Sequence, residues 1–508
     1  MSEILLELKE ISKSFGGVKA LDKVSLNLKK GEIHCLAGEN GSGKSTLIKI
    51  MSGFYKSDNG TITFNGKTSE NLSVIESIHM GIQVIYQDFS IFPNLSVMEN
   101  ISMNYELYNR KKIVNWKNVR KIAQKSLAHI GISIPLDELV ENLSVADKQL
   151  VAIARSILHN ARLIIMDEPT SALTRNEVEK LFSVIRQLQS EGITTLFVSH
   201  KLDEVFEIAD NFTVLRNGKV IITDNVSNID NDNFIYYMTG RQIKEEYFSA
   251  EGIDKNRCLF RVENFSLTNA FKNVNFEIHP GEILGITGLL GSGRTELAKA
   301  LFGLYRATGK VYVDGVMVTI NSPQDAIKHG IAYVPEDRII EGLFLNQPIK
   351  DNLAISGIDK FTGKWGKMDM AKLENNINSW IEKLSIKINK TEDLISALSG
   401  GNQQKVVLGK WLETRPKVLI LNGPTVGIDV GSKFDIHVLL RNLAVEREMA
   451  IILISDDIAE ILKNCNRILI IDKGLIISEQ INTCLTEEQL TSMVIRRQEE
   501  KNENLPAQ

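Results

Sequence analysis

The sequence predicts an α/β fold built twice. Three observations lead there. The chain repeats itself: EIHCLAGENGSGKSTLIKIMSG from Glu32 is echoed by EILGITGLLGSGRTELAKALFG from Glu282, an offset of 282 − 32 = 250. Short apolar runs ending in polar residues, such as Leu163–Met166 and Thr195–Val198, alternate with longer amphipathic stretches. Such runs suit strands covered on both faces, as in a mostly parallel sheet wrapped by helices. A glycine-rich loop also stands between a strand-like and a helix-like run.

The repeat sets the domain organisation. MDEPTSALT at Asp167 matches LNGPTVGID at Asn422, an offset of 422 − 167 = 255. LFVSHKLDE around His200 matches LISDDIAEI around Asp456, an offset of 456 − 200 = 256. A period this long and this steady means two homologous domains rather than a solenoid. The expected layout is a first domain over 1–242, a polar linker over 243–256, a second domain over 257–495 and a polar tail over 496–508.

Composition excludes several classes. The 508 residues hold 59 basic and 63 acidic side chains, net −4, which argues against a broadly basic nucleic-acid binder. At 43% hydrophobic and 24% charged, the chain reads as globular, not as disordered, collagenous or a disulfide scaffold. Its four cysteines, Cys35, Cys258, Cys465 and Cys484, show no C-x-x-C spacing, so thiols of a reducing compartment are expected rather than a zinc site. Residues 1–9 carry no signal-peptide pattern, and no window of 18 or more apolar residues occurs. Work at a membrane would therefore require docking on another chain.

The loop Gly38-Glu39-Asn40-Gly41-Ser42-Gly43-Lys44-Ser45 fits G-x-x-x-x-G-K-[S/T]. It follows the strand-like Ile33–Ala37 and opens a helix-like run at Thr46, the context that supports a phosphate loop. Glycines let backbone N–H groups close around phosphate oxygens, and the helix N-terminus adds its dipole. Lys44 is expected to reach the β- and γ-phosphates of ATP, and Ser45 to ligate Mg²⁺. Four apolar residues carry Asp167 to a strand end, where it would hold Mg²⁺ through water, and Glu168 would polarise the attacking water. His200 ends the next apolar run, placed to hydrogen-bond a γ-phosphate. Ligands of such sheets sit at these carboxyl ends.

Together with Phe15, Gln87 in VIYQD, LSGGN at 398–402, DEPTSAL and VSHKLDE, these motifs resemble the nucleotide-binding subunit of an ATP-binding cassette (ABC) transporter. The tandem arrangement, VPEDR at 334–338 and GSGRTEL narrow the resemblance to the fused ATPase subunits of bacterial monosaccharide importers of the ribose, galactose and xylose type. It implies two P-loop NTPase domains, each a mostly parallel sheet core with a helical subdomain. It implies that Phe15 stacks on adenine and that Gln87 senses the γ-phosphate and Mg²⁺. The segment from Phe89 to Asn142 would face the permease. Implied partners are integral membrane permease subunits and, indirectly, a sugar-binding protein, with no nucleic acid. The implied location is peripheral, on the cytoplasmic side of the cell membrane. The rival reading is a soluble tandem ABC ATPase acting on ribosomes or DNA; such proteins usually carry a long charged insert and two intact sites.

The two halves differ at nearly every chemical position. The second loop keeps Gly288, Gly291, Gly293 and Thr295, but Arg294 replaces the lysine. Gln87 is matched by Glu336, Asp167 and Glu168 by Asn422 and Gly423, and His200 by Asp456. The region of Phe15 is four residues shorter in the second half. The first half departs only in its signature, Leu143-Ser144-Val145-Ala146-Asp147, against Leu398-Ser399-Gly400-Gly401-Asn402 in the second. In ABC proteins each ATP lies between the phosphate loop of one domain and the signature of the other. Head-to-tail pairing within the chain would then join all intact parts in one site and the degraded parts in the other. The expectation is one hydrolytic site, with Ser399, Gly400, Gly401 and Asn402 completing it, and one degenerate site.

Overall fold

The computed structural model describes all residues except 1–2, 87–89, 109–113, 159, 172, 200, 243–247, 249–252, 255, 290, 363–366, 484 and 503–508. The chain divides into two compact units, Met1–Ile243 and Lys244–Gln508. Within the stretch read as a linker, the Phe248 N–H donates to the Lys463 carbonyl at 3.0 Å, and its ring packs on the core of the second unit.

Each unit is built on a six-stranded sheet. In the first its order is Lys219–Asn225, Asn211–Arg216, Ile33–Ala37, Thr194–Val198, Leu163–Asp167, Ile82–Ile85. All neighbours are parallel except the first pair. The apolar run Leu163–Met166 is continuous because both faces are covered. Leu163 and Ile165 pack on one buried cluster, and Ile164 and Met166 on another. The period-2 geometry of a strand sends alternate side chains to opposite faces. The second unit repeats this: Val418 and Ile420 enter one cluster, Leu419 and Leu421 the other.

A second, four-stranded sheet covers one face in each unit. It is antiparallel, ordered Val18–Lys29, Ile4–Phe15, Asn59–Phe64, Lys67–Ser69 in the first. Motif reading passed over this sheet, although its signal is present. Val24, Leu26 and Leu28 are buried while their neighbours Ser25, Asn27 and Lys29 are exposed, the alternation of a half-covered strand. In the second unit the strand matching Ile4–Phe15 is Phe260–Leu267. Lys13 pairs with Leu21 across seven intervening residues and Leu267 with Phe271 across three, so the four-residue deletion takes the tip of this hairpin, where Phe15 lies. On the opposite face the helices Val97–Tyr108, Trp116–His129 and Val145–Leu158 form a helical layer. Its counterpart is Ile349–Ala354, Met370–Lys383 and Gly400–Leu412. No helix among the described residues is long and apolar enough to cross a membrane.

Candidate functional site

In the first unit the phosphate loop joins the strand Ile33–Ala37 to the helix Lys44–Met51. Gly43 caps that helix in a left-handed conformation (φ 109°), and no side chain caps it. Its first N–H groups are thus presented to the loop rather than to a capping oxygen. Gly38 is required by space: a Cβ there would stand 2.2 Å from the Leu215 carbonyl oxygen and 2.7 Å from Ser42 Oγ. Lys44 Nζ donates to the carbonyls of Gly38 and Glu39 at 2.7 and 2.9 Å, so the ammonium lies over the loop it belongs to. Ser42 Oγ is buried beside Gly38 with no hydrogen-bond partner among the described residues.

Asp167 closes the strand Leu163–Asp167. Burial, and then the charge of Glu168, push its carboxyl above the usual range against the pull of Lys44 and Lys49. A carboxylate held in this way gains from a nearby cation. The residues here fit Mg²⁺ with a polyphosphate: Asp167 and Ser45 would hold the ion. Phe15 ends its strand with a half-exposed ring. Tyr55 meets it edge-on at 5.2 Å and Lys13 Nζ lies 5.4 Å from its centroid, a fixed flat surface. Gln87 and His200 lie outside the described residues.

Glu168 is held at φ 48°, the left-handed region, and its N–H donates to the Val198 carbonyl at 3.1 Å. Gly423 takes the same place at φ 55°, its N–H bonded to the Ile454 carbonyl at 2.8 Å. The fold thus imposes this backbone on both units, and only the first keeps a side chain there. A non-glycine residue in this region costs roughly 1 kcal/mol or more. Gly423→Ala should therefore lower the stability of the chain by about 1 kcal/mol, because it puts a Cβ on a left-handed backbone, 3.0 Å from Val426 Cγ2. Denaturant titration checks this; an unchanged or higher stability contradicts it.

The degraded positions of the second unit are tied to one another. Asn422 Nδ2 donates to Thr295 Oγ1 at 3.3 Å and to Glu336 Oε2 at 3.4 Å. These three residues stand where the sequence match puts Asp167, Ser45 and Gln87, the residues expected to hold a metal. An amide nitrogen points at the very oxygens a cation would seek, so the set is satisfied without one. Arg294 donates to the Gly288 carbonyl at 2.8 Å and pairs with Asp456 at 3.5 Å. Two departures, arginine for lysine and aspartate for histidine, therefore meet as an ion pair. The glycine frame of the loop is kept: Gly293 caps the helix Arg294–Leu301 in the left-handed region, Gly288 is hemmed in by the Ile471 carbonyl, and Ser292 Oγ is buried with no hydrogen-bond partner among the described residues.

The signatures differ in how their serines are used. Ser399 caps the helix Gly400–Leu412 and its Oγ accepts from Asn402 Nδ2 at 3.0 Å, which keeps the hydroxyl proton for another acceptor. Gly401 leaves room for Ser432, whose Oγ would be 2.1 Å from a Cβ there. In the first unit Ser144 Oγ donates to Asp147 Oδ2 at 2.9 Å, so its proton is spent on its own helix.

Sequence reading missed one element common to both units. Glu204 accepts from Thr170 Oγ1 and Ser199 Oγ, both at 2.7 Å, and so fastens the loop after Glu168 to the strand end before His200. Glu460 does the same for Thr425 and Ser455, both at 2.6 Å. Buried, it is held down to about 2, since its bond to His437 and the charge of Lys433 outweigh desolvation. The signal was available: Thr170, Ser199 and Glu204 recur at offsets 255, 256 and 256 although the chemistry between them is lost.

The model of the ABC transporter family matches residues 21–171 and 271–426. The chain belongs to the ABC transporter family. A ribose import ATP-binding protein of Caldanaerobacter subterraneus subsp. tengcongensis is 42% identical over 96% of this chain and 98% of its own length. A xylose import ATP-binding protein of Geobacillus kaustophilus is 40% identical over 96% of this chain and 98% of its own. A ribose import ATP-binding protein of Bacillus subtilis is 38% identical over 96% and 99%. A crystal structure of an ATP-binding cassette of an ABC transporter in its ADP conformation matches at 30% identity and a TM-score of 0.43, over 47% of this chain and all of that one. This ABC protein is an ATPase with two P-loop NTPase domains in tandem, and both the α/β class and the doubling expected from the sequence hold.

Proposed function

We propose that this ABC ATPase powers import of a monosaccharide or sugar-like small molecule from one hydrolytic site. It would do so docked on integral membrane permease subunits at the cytoplasmic face, with a sugar-binding protein delivering the cargo. Relatives named for ribose and xylose import, 38–42% identical over 96% of the chain, support the substrate class. The observation that carries the single site is the pattern of losses. Lys44, Ser45, Gln87, Asp167, Glu168 and His200 are retained in one half and Ser399–Asn402 in the other, whereas the reciprocal set is lost. Decay without a shared site would scatter the losses.

In this reading the adenine of ATP stacks on Phe15. Loop N–H groups and Lys44 neutralise the phosphates, and Ser399 with the start of its helix meets the γ-phosphate. Ser45 and Asp167 would hold Mg²⁺, which would supply positive charge beside the phosphates. Glu168 polarises the water for in-line attack, and His200 hydrogen-bonds the γ-phosphate. Loss of that phosphate lets the halves part, and the permease follows through the Gln87 region.

The test is a pair of matched substitutions in the assembled transporter. Ser399→Arg should lower ATP turnover by on the order of a hundredfold, because it blocks a preorganised phosphate contact. Ser144→Arg should cost no more than about twofold, in keeping with a surface change away from the chemistry. Equal losses from the two would overturn the single-site reading.

A further inference from the structure

The VPEDR segment contains an arginine that the functional reading does not use. Arg338 Nη1 donates to the Val426 carbonyl at 2.8 Å and Nη2 to the Gly427 carbonyl at 3.3 Å. Its Nε lies 3.5 Å from Gln403 Oε1. Val426 and Gly427 belong to the loop after the strand Val418–Asn422, and Gln403 lies in the first turn of the helix Gly400–Leu412. One guanidinium thus ties three segments together: the Glu336 loop, the loop after Gly423 and the start of the signature helix. With Thr295, Glu336 and Asn422 it lines a cleft of 410 Å³.

Gly400 shows how close the approach is. A Cβ at this position would stand 2.8 Å from Arg338 Nη2 and 3.3 Å from the Gly427 carbonyl oxygen. The first signature glycine therefore serves two neighbours: it exposes backbone N–H at the helix start, and it admits the guanidinium. The same loop is fastened further along the helix, where Lys410 Nζ donates to the Gly342 carbonyl and Gly342 packs on Val407. In the first half the matching positions change together. Phe89 stands for Arg338 (338 − 89 = 249) and Val145 for Gly400 (400 − 145 = 255).

We infer that Arg338 is a positioning residue for ATP hydrolysis: it sets the height and orientation of the Ser399–Asn402 helix start from within the half that has lost its own chemistry. This rests on the single-site reading above. The retained VPEDR segment thereby acquires a role, because the degenerate half keeps its Glu336 loop as the splint for the signature it lends to the other half. A fork with several donors is needed, since a lysine ammonium is a point donor and cannot span two carbonyls and a side-chain amide in one plane.

The experiment uses the full-length chain with ATP as the probe. It compares Arg338→Ala, Arg338→Lys, Gly400→Ala and the Arg338→Ala/Gly400→Ala pair with Ser399→Arg. Each of the first three should lower kcat by about tenfold or more while KM for ATP stays within about twofold, the signature of a misplaced group rather than a lost binding contact. Arg338→Lys should fail to rescue. The double variant should be no worse than Arg338→Ala, because an empty guanidinium site accommodates the new methyl group. Rescue by lysine, a rise in KM without a fall in kcat, or additive losses in the double variant would overturn the proposal. If Arg338→Ala melts at a much lower temperature, Arg338→Lys and Gly400→Ala decide alone. Ser399→Arg separates the two levels: wild-type turnover there defeats the single-site reading, whereas its loss beside a fully active Arg338→Ala defeats only the role of Arg338.

Discussion

Glu168→Gln should abolish ATP turnover, by on the order of a hundredfold or more, and leave ATP bound. The substitution preserves the shape of the side chain and the left-handed backbone at φ 48°, but replaces a carboxylate by an amide that polarises water weakly. It also removes the charge that helps push the Asp167 carboxyl up, so Asp167 becomes easier to ionise and nucleotide binding is favoured. The second unit supplies no substitute. Its matching position is Gly423, and the carboxylate beside it, Glu336, is engaged with Asn422. The measurements are phosphate release and nucleotide retention in the assembled transporter. Residual turnover above about a tenth of wild type, against the factor expected for a positioned base, would show a second base at work.

Much of this was legible because the chemistry sits where the chain must be simple. A buried parallel strand admits only apolar residues until it ends, so Asp167 stands out at the carboxyl end of its run. The glycine loop is visible because Gly38 has no room for a Cβ. What escaped reading depends on partners distant in sequence. Glu204 is one acidic residue among 63 until folding brings it to Thr170 and Ser199. Arg338 meets its carbonyl partners 88 and 89 residues away. The antiparallel sheet escaped for a different reason: its alternating pattern is plain in Val18–Lys29, but it carries no motif. The degraded half shows the limit most clearly. Sequence comparison reads Arg294, Glu336, Asn422 and Asp456 as four separate losses, whereas the structure shows two mutually satisfied groups, Arg294 with Asp456 and Asn422 with Thr295 and Glu336.

That mutual satisfaction bears on whether the second half can be repaired. Arg294→Lys, Asn422→Asp and Gly423→Glu restore a phosphate lysine, a metal carboxylate and a water-orienting carboxylate. The backbone at position 423 already has the conformation Glu168 adopts, and a Cβ there would meet Val426 Cγ2 at 3.0 Å and Glu336 Cγ at 3.1 Å, side-chain rather than backbone atoms. Charge is the obstacle. Asn422→Asp turns the 3.4 Å contact with Glu336 from a hydrogen bond into two facing carboxylates, and Gly423→Glu adds a third beside them. Repulsion between such neighbours is on the order of kilocalories per mole at an intermediate dielectric. Arg294→Lys meanwhile removes the guanidinium that paired with Asp456. With Glu168→Gln silencing the first site, the triple repair should therefore yield turnover no more than a few per cent of wild type. Adding Glu336→Gln restores the neutral amide that Gln87 supplies in the first half and should help first. Val145→Gly, Ala146→Gly and Asp147→Gln should then help further, since they release Ser144 from Asp147 and remove an anion from the signature turn. Phosphate release measured along this series gives the order of effects. Near wild-type turnover from the triple repair alone would mean that the carboxylates at 336, 422 and 423 coexist at no cost and that the first signature works as it stands, and the degenerate site would then be degenerate in neither its charge balance nor its signature.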